Sequence, residues 1–155
     1  MAIITVGVNS YVTEAELITY ATDRGISLQN ATDVLLIKAM DWLELQSFKG
    51  AKTDPAQALQ WPRAGAIVNG EELEDTLIPV NIKSAQLQAA IQVAAGDDLL
   101  PNLEPRVLSE EVGGAIKVTY SDKGNQSVIF SRLNAYLRDY LSNGGSATNF
   151  NVVRG

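Results

Sequence analysis

The chain has 155 residues, of which 46% are hydrophobic and 19% charged, and it contains neither cysteine nor histidine. These absences exclude disulfides, thiolate nucleophiles, metal sites built on Cys or His, and a Ser-His-Asp triad. The length suits about one domain. A net charge of −6 is a poor match to a protein that grips DNA by neutralising phosphates with Lys and Arg. No apolar run approaches the ~20 residues that span a bilayer, and no basic region precedes the apolar start, so we expect a soluble protein without a membrane partner.

Two helices are predicted in the first third of the chain. The first has Thr13 as its N-cap, in a Thr-x-x-Glu capping box, and ends at Gly25. The second covers about residues 32–46, with Thr32 or Asn30 as its N-cap. Because the polar residues of this second helix form one narrow stripe, we expect it to be central in the fold.

The rest of the chain adds a long loop, two further helices and a hairpin. Residues 47–78 are predicted to be irregular, and a third helix opens at Pro79 and stops at Gly96. Gly113-Gly114 between two short β-type runs predicts a hairpin over 106–121. A fourth helix is predicted over about 130–142. We therefore predict a mainly α protein, with a helical domain over 1–145 built on a four-helix core and one hairpin, and an extended C-terminal arm over 146–155.

The loop after the second helix interleaves aromatic and basic residues, namely Phe48, Lys49, Lys52, Trp61 and Arg63. This composition is typical of a groove that binds single-stranded nucleic acid by stacking. The alternative is that the two rings fix a long loop to the core while the basic groups are solvated. Because the three basic side chains are accompanied by one acidic residue, residues 46–70 carry a net charge of only +2, and we favour the second interpretation.

No pattern in the sequence indicates catalysis. The acidic pairs Asp97-Asp98 and Glu110-Glu111 lack the spacing of a calcium loop. No glycine-rich phosphate-binding motif is present. We expect a protein that is not an enzyme and has no catalytic residue, metal or cofactor.

Several segments of the chain, taken in their order along the sequence, resemble a family of small proteins encoded among the head genes of tailed phages and prophages. Its members include head–tail connector (adaptor) proteins of the virion neck, and some carry the label DnaT-like single-stranded-DNA-binding protein. The resemblance covers roughly residues 10–140, and its most specific parts are the strings QWPRAG (60–65) and SEEVG (109–113). The other segments are Tyr11-Val12, Leu36 to Leu43, Phe48-Lys49-Gly50, Ile78-Pro79, Asp97 to Pro101 and Ile116-Lys117-Val118.

The connector resemblance implies a structural protein of the phage neck. Such an adaptor is made in the host cytoplasm and forms a homo-oligomeric ring of twelve copies below the portal. It contacts the portal protein and tail or tail-terminator proteins, and it lets DNA pass through the lumen without specific binding. We expect the predicted hairpin and arm to supply the contacts, through Val107, Ile116, Val118, Tyr120, Phe150, Val152, Val153 and Arg154. The alternative function is single-stranded-DNA binding through the aromatic and basic loop residues.

Overall fold

The computed structural model describes residues 2–101 and 130–142. The helices of this part are α1 (Glu14–Thr22), α2 (Thr32–Glu44), α3 (Val80–Ala94) and α4 (Ser131–Leu137). The predicted four helices are thus confirmed, with α4 shorter than expected. The predicted hairpin over 106–121 and the arm over 146–155 lie outside the described residues.

The starts of α1 and α2 are tied together by side chains. The Thr13 hydroxyl accepts a hydrogen bond from the Glu16 N–H, and the Glu16 carboxylate accepts one from the Thr13 N–H at 2.6 Å. The predicted capping box is therefore present. The prediction for α2 was wrong in detail, since its N-cap is Ala31 rather than Thr32 or Asn30, and no side chain caps it. The Thr32 hydroxyl donates instead to the carboxylate of Glu14. A contact between helices has therefore replaced a local cap.

The long segment between α2 and α3 is organised by two small antiparallel sheets. Its strands are β1 (Ala51–Lys52), paired with β2 (Arg63–Ala64), and β3 (Ile67–Val68), paired with β4 (Glu71–Glu72). The β3–β4 turn places Asn69 at φ 53° and Gly70 at φ 84°. Left-handed backbone at both central residues is the geometry that Asn-Gly favours in a two-residue hairpin. The prediction of an irregular segment over residues 47–78 overlooked this Asn69-Gly70 turn.

The core lies between α2 and α3, and α3 contacts each of the other three helices. Three fully buried alanines of α3, Ala85, Ala89 and Ala90, allow the neighbouring helices to approach closely. Gln86 is buried among them, and its side-chain oxygen accepts from the Tyr11 N–H at 2.9 Å. Its amide nitrogen donates to Ser10 Oγ at 2.8 Å. This amide therefore anchors the segment before α1 to the middle of α3.

Candidate functional site

The two aromatic rings proposed for nucleic-acid stacking lie inside the core. Phe48 is 6% exposed and Trp61 is 2% exposed. Their ring centroids are 5.7 Å apart in an edge-to-face arrangement, and Tyr140 packs edge-on against Trp61 at 5.9 Å. A base stacks on an aromatic face that solvent can reach, and in this conformation neither ring presents one. The structure agrees with the interpretation that these rings fix the loop to the core.

Arg63 is buried next to these rings and is committed to internal hydrogen bonds. Its guanidinium donates through Nε to the Lys49 carbonyl and through Nη2 to the Gly50 carbonyl, both at 2.7 Å. Nη1 donates to Gln60 Oε1 at 2.8 Å. Burial lowers the pKa of Arg63, and the negative charge of Glu44 opposes this shift. The expectation of a solvated basic group therefore does not hold for Arg63, which closes the loop around its own backbone.

The two lysines of the loop are half-buried and also contact backbone carbonyls. Lys49 Nζ donates to the Asp139 carbonyl at 2.8 Å and to the Ile67 carbonyl at 3.3 Å. Lys52 Nζ donates to the Gln57 carbonyl at 3.3 Å. The five predicted residues thus come together in one region, which we call the loop clamp (Phe48, Lys49, Lys52, Trp61 and Arg63). The loop clamp joins the loop to the end of α4.

A buried hydroxyl links the loop clamp to the N-terminal segment and to α2. The Tyr11 hydroxyl donates to Glu44 Oε1 at 2.9 Å and accepts from the Trp61 N–H at 3.0 Å. The same carboxylate accepts from the Gln60 N–H at 3.0 Å. Burial, reinforced by the charge of Glu44, raises the pKa of Tyr11. Glu44 is therefore a structural acceptor for the loop.

A second cluster of arginine and tyrosine lies where α1, α3 and α4 meet. The Arg24 guanidinium carbon sits 3.4 Å above the Tyr20 ring, and the Tyr20 hydroxyl donates to Gln88 Oε1 at 3.3 Å. Burial, together with the neighbouring Tyr136 hydroxyl, raises the pKa of Tyr20 to about 12, while the positive charges of Arg24 and Arg132 oppose this rise. We call Tyr20, Arg24, Arg132 and Tyr136 the arginine–tyrosine patch.

Sequence reasoning missed this patch because its two halves are more than a hundred residues apart. Tyr20 on α1 and Arg24, two residues past its end, are four residues apart, as are Arg132 and Tyr136 within α4. Residues at this spacing lie on the same face of a helix. Each pair is therefore visible in the sequence, and only the packing of α1 and α4 against α3 brings the pairs together.

The β3–β4 hairpin carries an exposed acidic surface. Glu71, Glu72, Glu74 and Asp75 are all exposed, and Ile67, which pairs with Glu72 across the strands, is 54% exposed. The Leu73 N–H donates to the Ala66 carbonyl at 2.9 Å, which fixes the base of the hairpin. We call residues 67–75 the acidic hairpin.

Comparison with known proteins gives a family but no individual relative. A family model described as "Putative DnaT-like ssDNA binding protein" matches residues 2–155. The chain belongs to this family. No curated protein and no solved structure matches it. The DnaT-like part of the resemblance is thereby confirmed, and nothing in the comparisons supports the phage connector part, which stays a prediction.

The other sequence predictions for the site fall largely outside the described residues. This holds for every proposed interface residue, namely Val107, Ile116, Val118, Tyr120, Phe150, Val152, Val153 and Arg154, and for Glu110-Glu111.

Asp97 and Asp98 are exposed at the C-terminal side of α3 and line a groove of about 460 Å³ with Lys38 and Asp41. Within residues 2–101 and 130–142, no group of three Asp or Glu residues could hold a metal ion. No helix in this part has the length and apolar character needed to cross a membrane.

Proposed function

We propose that this chain is a structural, non-catalytic subunit of a phage neck, a head–tail adaptor that assembles into a ring below the portal. One observation supports this function over DNA binding. The aromatic and basic residues that suggested a DNA groove are used for internal packing, with Trp61 2% exposed and Arg63 8% exposed. Because Phe48, Trp61 and Arg63 are buried in internal contacts, they are not available to bind single-stranded DNA in this conformation.

The charge of the chain supports the same proposal. A conduit has to let DNA slide, and a net charge of −6 repels phosphate and reduces adhesion. A closed ring also needs two different surfaces per copy, since a head-to-tail contact has to repeat until it closes. In this proposal the portal protein binds one end of the ring and tail or tail-terminator proteins bind the other, so the protein belongs to the virion.

The experiment is to look for the chain in tailed particles. Particles from the phage or prophage that encodes the chain are purified. One sample is digested and its proteins are identified by mass spectrometry, and a second, intact sample is labelled with an antibody to this chain for negative-stain microscopy. We expect the chain in mature particles, with label at the junction of head and tail. Its absence from particles that contain the portal protein overturns the proposal.

The family match favours a second candidate function, single-stranded-DNA binding, and favours it more directly than the adaptor function. Of the loop clamp, only Lys49 and Lys52 keep partly exposed side chains that could reach a phosphate. The test is fluorescence anisotropy with a labelled single-stranded oligonucleotide at low and physiological salt. Micromolar binding that falls steeply with salt, and that weakens in K52E, supports this second candidate and contradicts the first.

The choice of variants matters in this test. Trp61→Ala removes a buried ring, and such truncations typically cost about 3–5 kcal/mol of stability. A loss of DNA binding in that variant would therefore follow from unfolding as easily as from a lost stacking contact. Lys52 carries less of the packing, and K38E, at an exposed lysine on α2 outside the loop clamp, is its matched control.

A further inference from the structure

We propose that neighbouring copies of this chain associate head to tail, with the acidic hairpin of one copy docked on the arginine–tyrosine patch of the next. This inference rests on the ring assembly of the proposed function, and it names the surfaces that would form the contact. It is carried by the charge complementarity of two exposed surfaces and by their positions in the fold.

The arginine–tyrosine patch is suited to carboxylates. Arg24, in the turn after α1, and Arg132, on α4, are both exposed, and the only ion pair within residues 2–101 and 130–142 joins Arg138 to Asp139. Arg24 is held in place, since it stacks on Tyr20 and donates through Nη1 to the Tyr20 carbonyl at 3.1 Å. A guanidinium fixed in this way loses little freedom when it binds a carboxylate through two hydrogen bonds.

The acidic hairpin is the complementary surface. Four exposed carboxylates, Glu71, Glu72, Glu74 and Asp75, lie on β4 and directly after it, and none forms an ion pair with a described basic residue. The two-residue turn and the Leu73 hydrogen bond fix the backbone that carries them. The exposed Ile67 side chain adds an apolar contact beside Glu72. The hairpin is therefore a charged projection of defined shape.

Arg132 of the patch and the acidic hairpin lie near opposite ends of α4. Lys49 Nζ contacts both the Ile67 carbonyl of the hairpin and the Asp139 carbonyl, so the hairpin sits beside the residues that follow α4. Arg132 is in the first turn of that helix. Seven helical residues correspond to about 10 Å along the axis. Two different but complementary surfaces on one copy make a heterologous contact, which propagates from copy to copy and can close into a ring.

Charge reversal tests this contact in the full-length chain. One variant, R24E/R132E, makes both surfaces acidic, and a second, E71K/E72K/E74K, makes both basic. Light scattering coupled to size-exclusion chromatography, with concentration and salt as variables, measures self-association. We expect wild type to associate at low salt and dissociate at high salt, and each variant alone to associate at least tenfold more weakly. An equimolar mixture of the two variants should associate again, because each surface then meets its opposite charge.

Matched controls are K38E and D97K/D98K, which reverse exposed charges elsewhere and should leave association unchanged. Circular dichroism confirms that each variant is folded. The inference is overturned if wild type stays monomeric at low salt and high concentration, if the reversals behave like the controls, or if the mixture does not recover. It is also overturned if wild type binds a labelled oligonucleotide instead and R24E/R132E loses that binding, since the patch is then a nucleic-acid site.

The outcome separates this inference from the proposed function. Label at the neck of purified particles with no effect of charge reversal keeps the adaptor function and removes this interface. Recovery of association in the mixture, with no chain in the particles, keeps the interface and removes the adaptor function.

Discussion

The backbone N–H of Trp61 donates to the hydroxyl of Tyr11 across 3.0 Å, although the two residues are fifty positions apart in the chain. The same hydroxyl donates to the carboxylate of Glu44 on α2. One oxygen therefore joins the segment before α1, the C-terminal end of α2 and the start of the QWPRAG string. The conformation of the long loop is fixed by the helices through this oxygen, rather than by the loop alone.

Removal of this hydroxyl should destabilise the protein. Tyr11→Phe leaves the Trp61 N–H without its acceptor in the core and deprives Glu44 of a donor, and a buried unsatisfied group costs about 1–3 kcal/mol. We expect the free energy of unfolding, measured by urea denaturation, to fall by this amount. Tyr140→Phe is the control, since no hydrogen bond of the Tyr140 hydroxyl to another described residue accompanies its packing on Trp61. Equal losses in the two variants would show that the two hydrogen bonds of the Tyr11 hydroxyl add no stability beyond that of a hydroxyl without them.

Stability should decline in alkaline solution because of the same tyrosines. Burial raises the pKa of Tyr11 and Tyr140, and it raises the pKa of Tyr20 to about 12, above the ~10 of an unfolded chain. Above pH ~10 the unfolded chain therefore loses phenolic protons that the folded chain retains. This contribution is fully present below pH ~10 and is lost as pH rises through the folded pKa values.

Urea titrations at a series of pH values from 8 to 11 measure this decline. Tyr11 alone contributes a slope of up to ~1.4 kcal/mol per pH unit above pH ~10. Tyr11→Phe should reduce the slope by about that amount, and Tyr140→Phe, at a more exposed ring, should reduce it less. An unchanged slope in Tyr11→Phe would contradict a buried, protonated phenol at this position.

Gly50 should tolerate no side chain. Its φ is +72°, and a Cβ there would collide with the Ala64 carbonyl oxygen and lie 2.9 Å from the Ala66 nitrogen. Gly65, in the same loop, has φ +69° but open space around its Cβ position. Gly65→Ala should therefore lose only about 1 kcal/mol from the left-handed backbone. Gly50→Ala should lose several times as much by thermal and urea unfolding, and similar losses would show that the clash is relieved.

The parts of the fold that could be predicted are those with local causes. The capping box at Thr13 and the positions of the four helices follow from residues within a few positions of one another. The β3–β4 turn at Asn69-Gly70 has an equally local cause and was open to prediction. The burial of Arg63 was not, because its acceptors at Lys49 and Gly50 become neighbours only after β1 pairs with β2. The arginine–tyrosine patch likewise depends on packing between distant helices.

Arg63 should contribute to stability rather than to any surface function. Its guanidinium donates to the Lys49 carbonyl, the Gly50 carbonyl and Gln60 Oε1. In Arg63→Met both carbonyls would lose this donor. Hydrogen bonds to a charged donor are worth about 1.5–3 kcal/mol, so we expect a loss of at least 2 kcal/mol in urea unfolding. Arg63→Lys should recover only part of it, since one ammonium cannot reach all the acceptors of a planar fork. Lys52→Met, which breaks one 3.3 Å contact, is the control and should lose under 1 kcal/mol. A small loss in Arg63→Met with a large loss of oligonucleotide binding would instead assign Arg63 to DNA recognition and contradict the packing assignment.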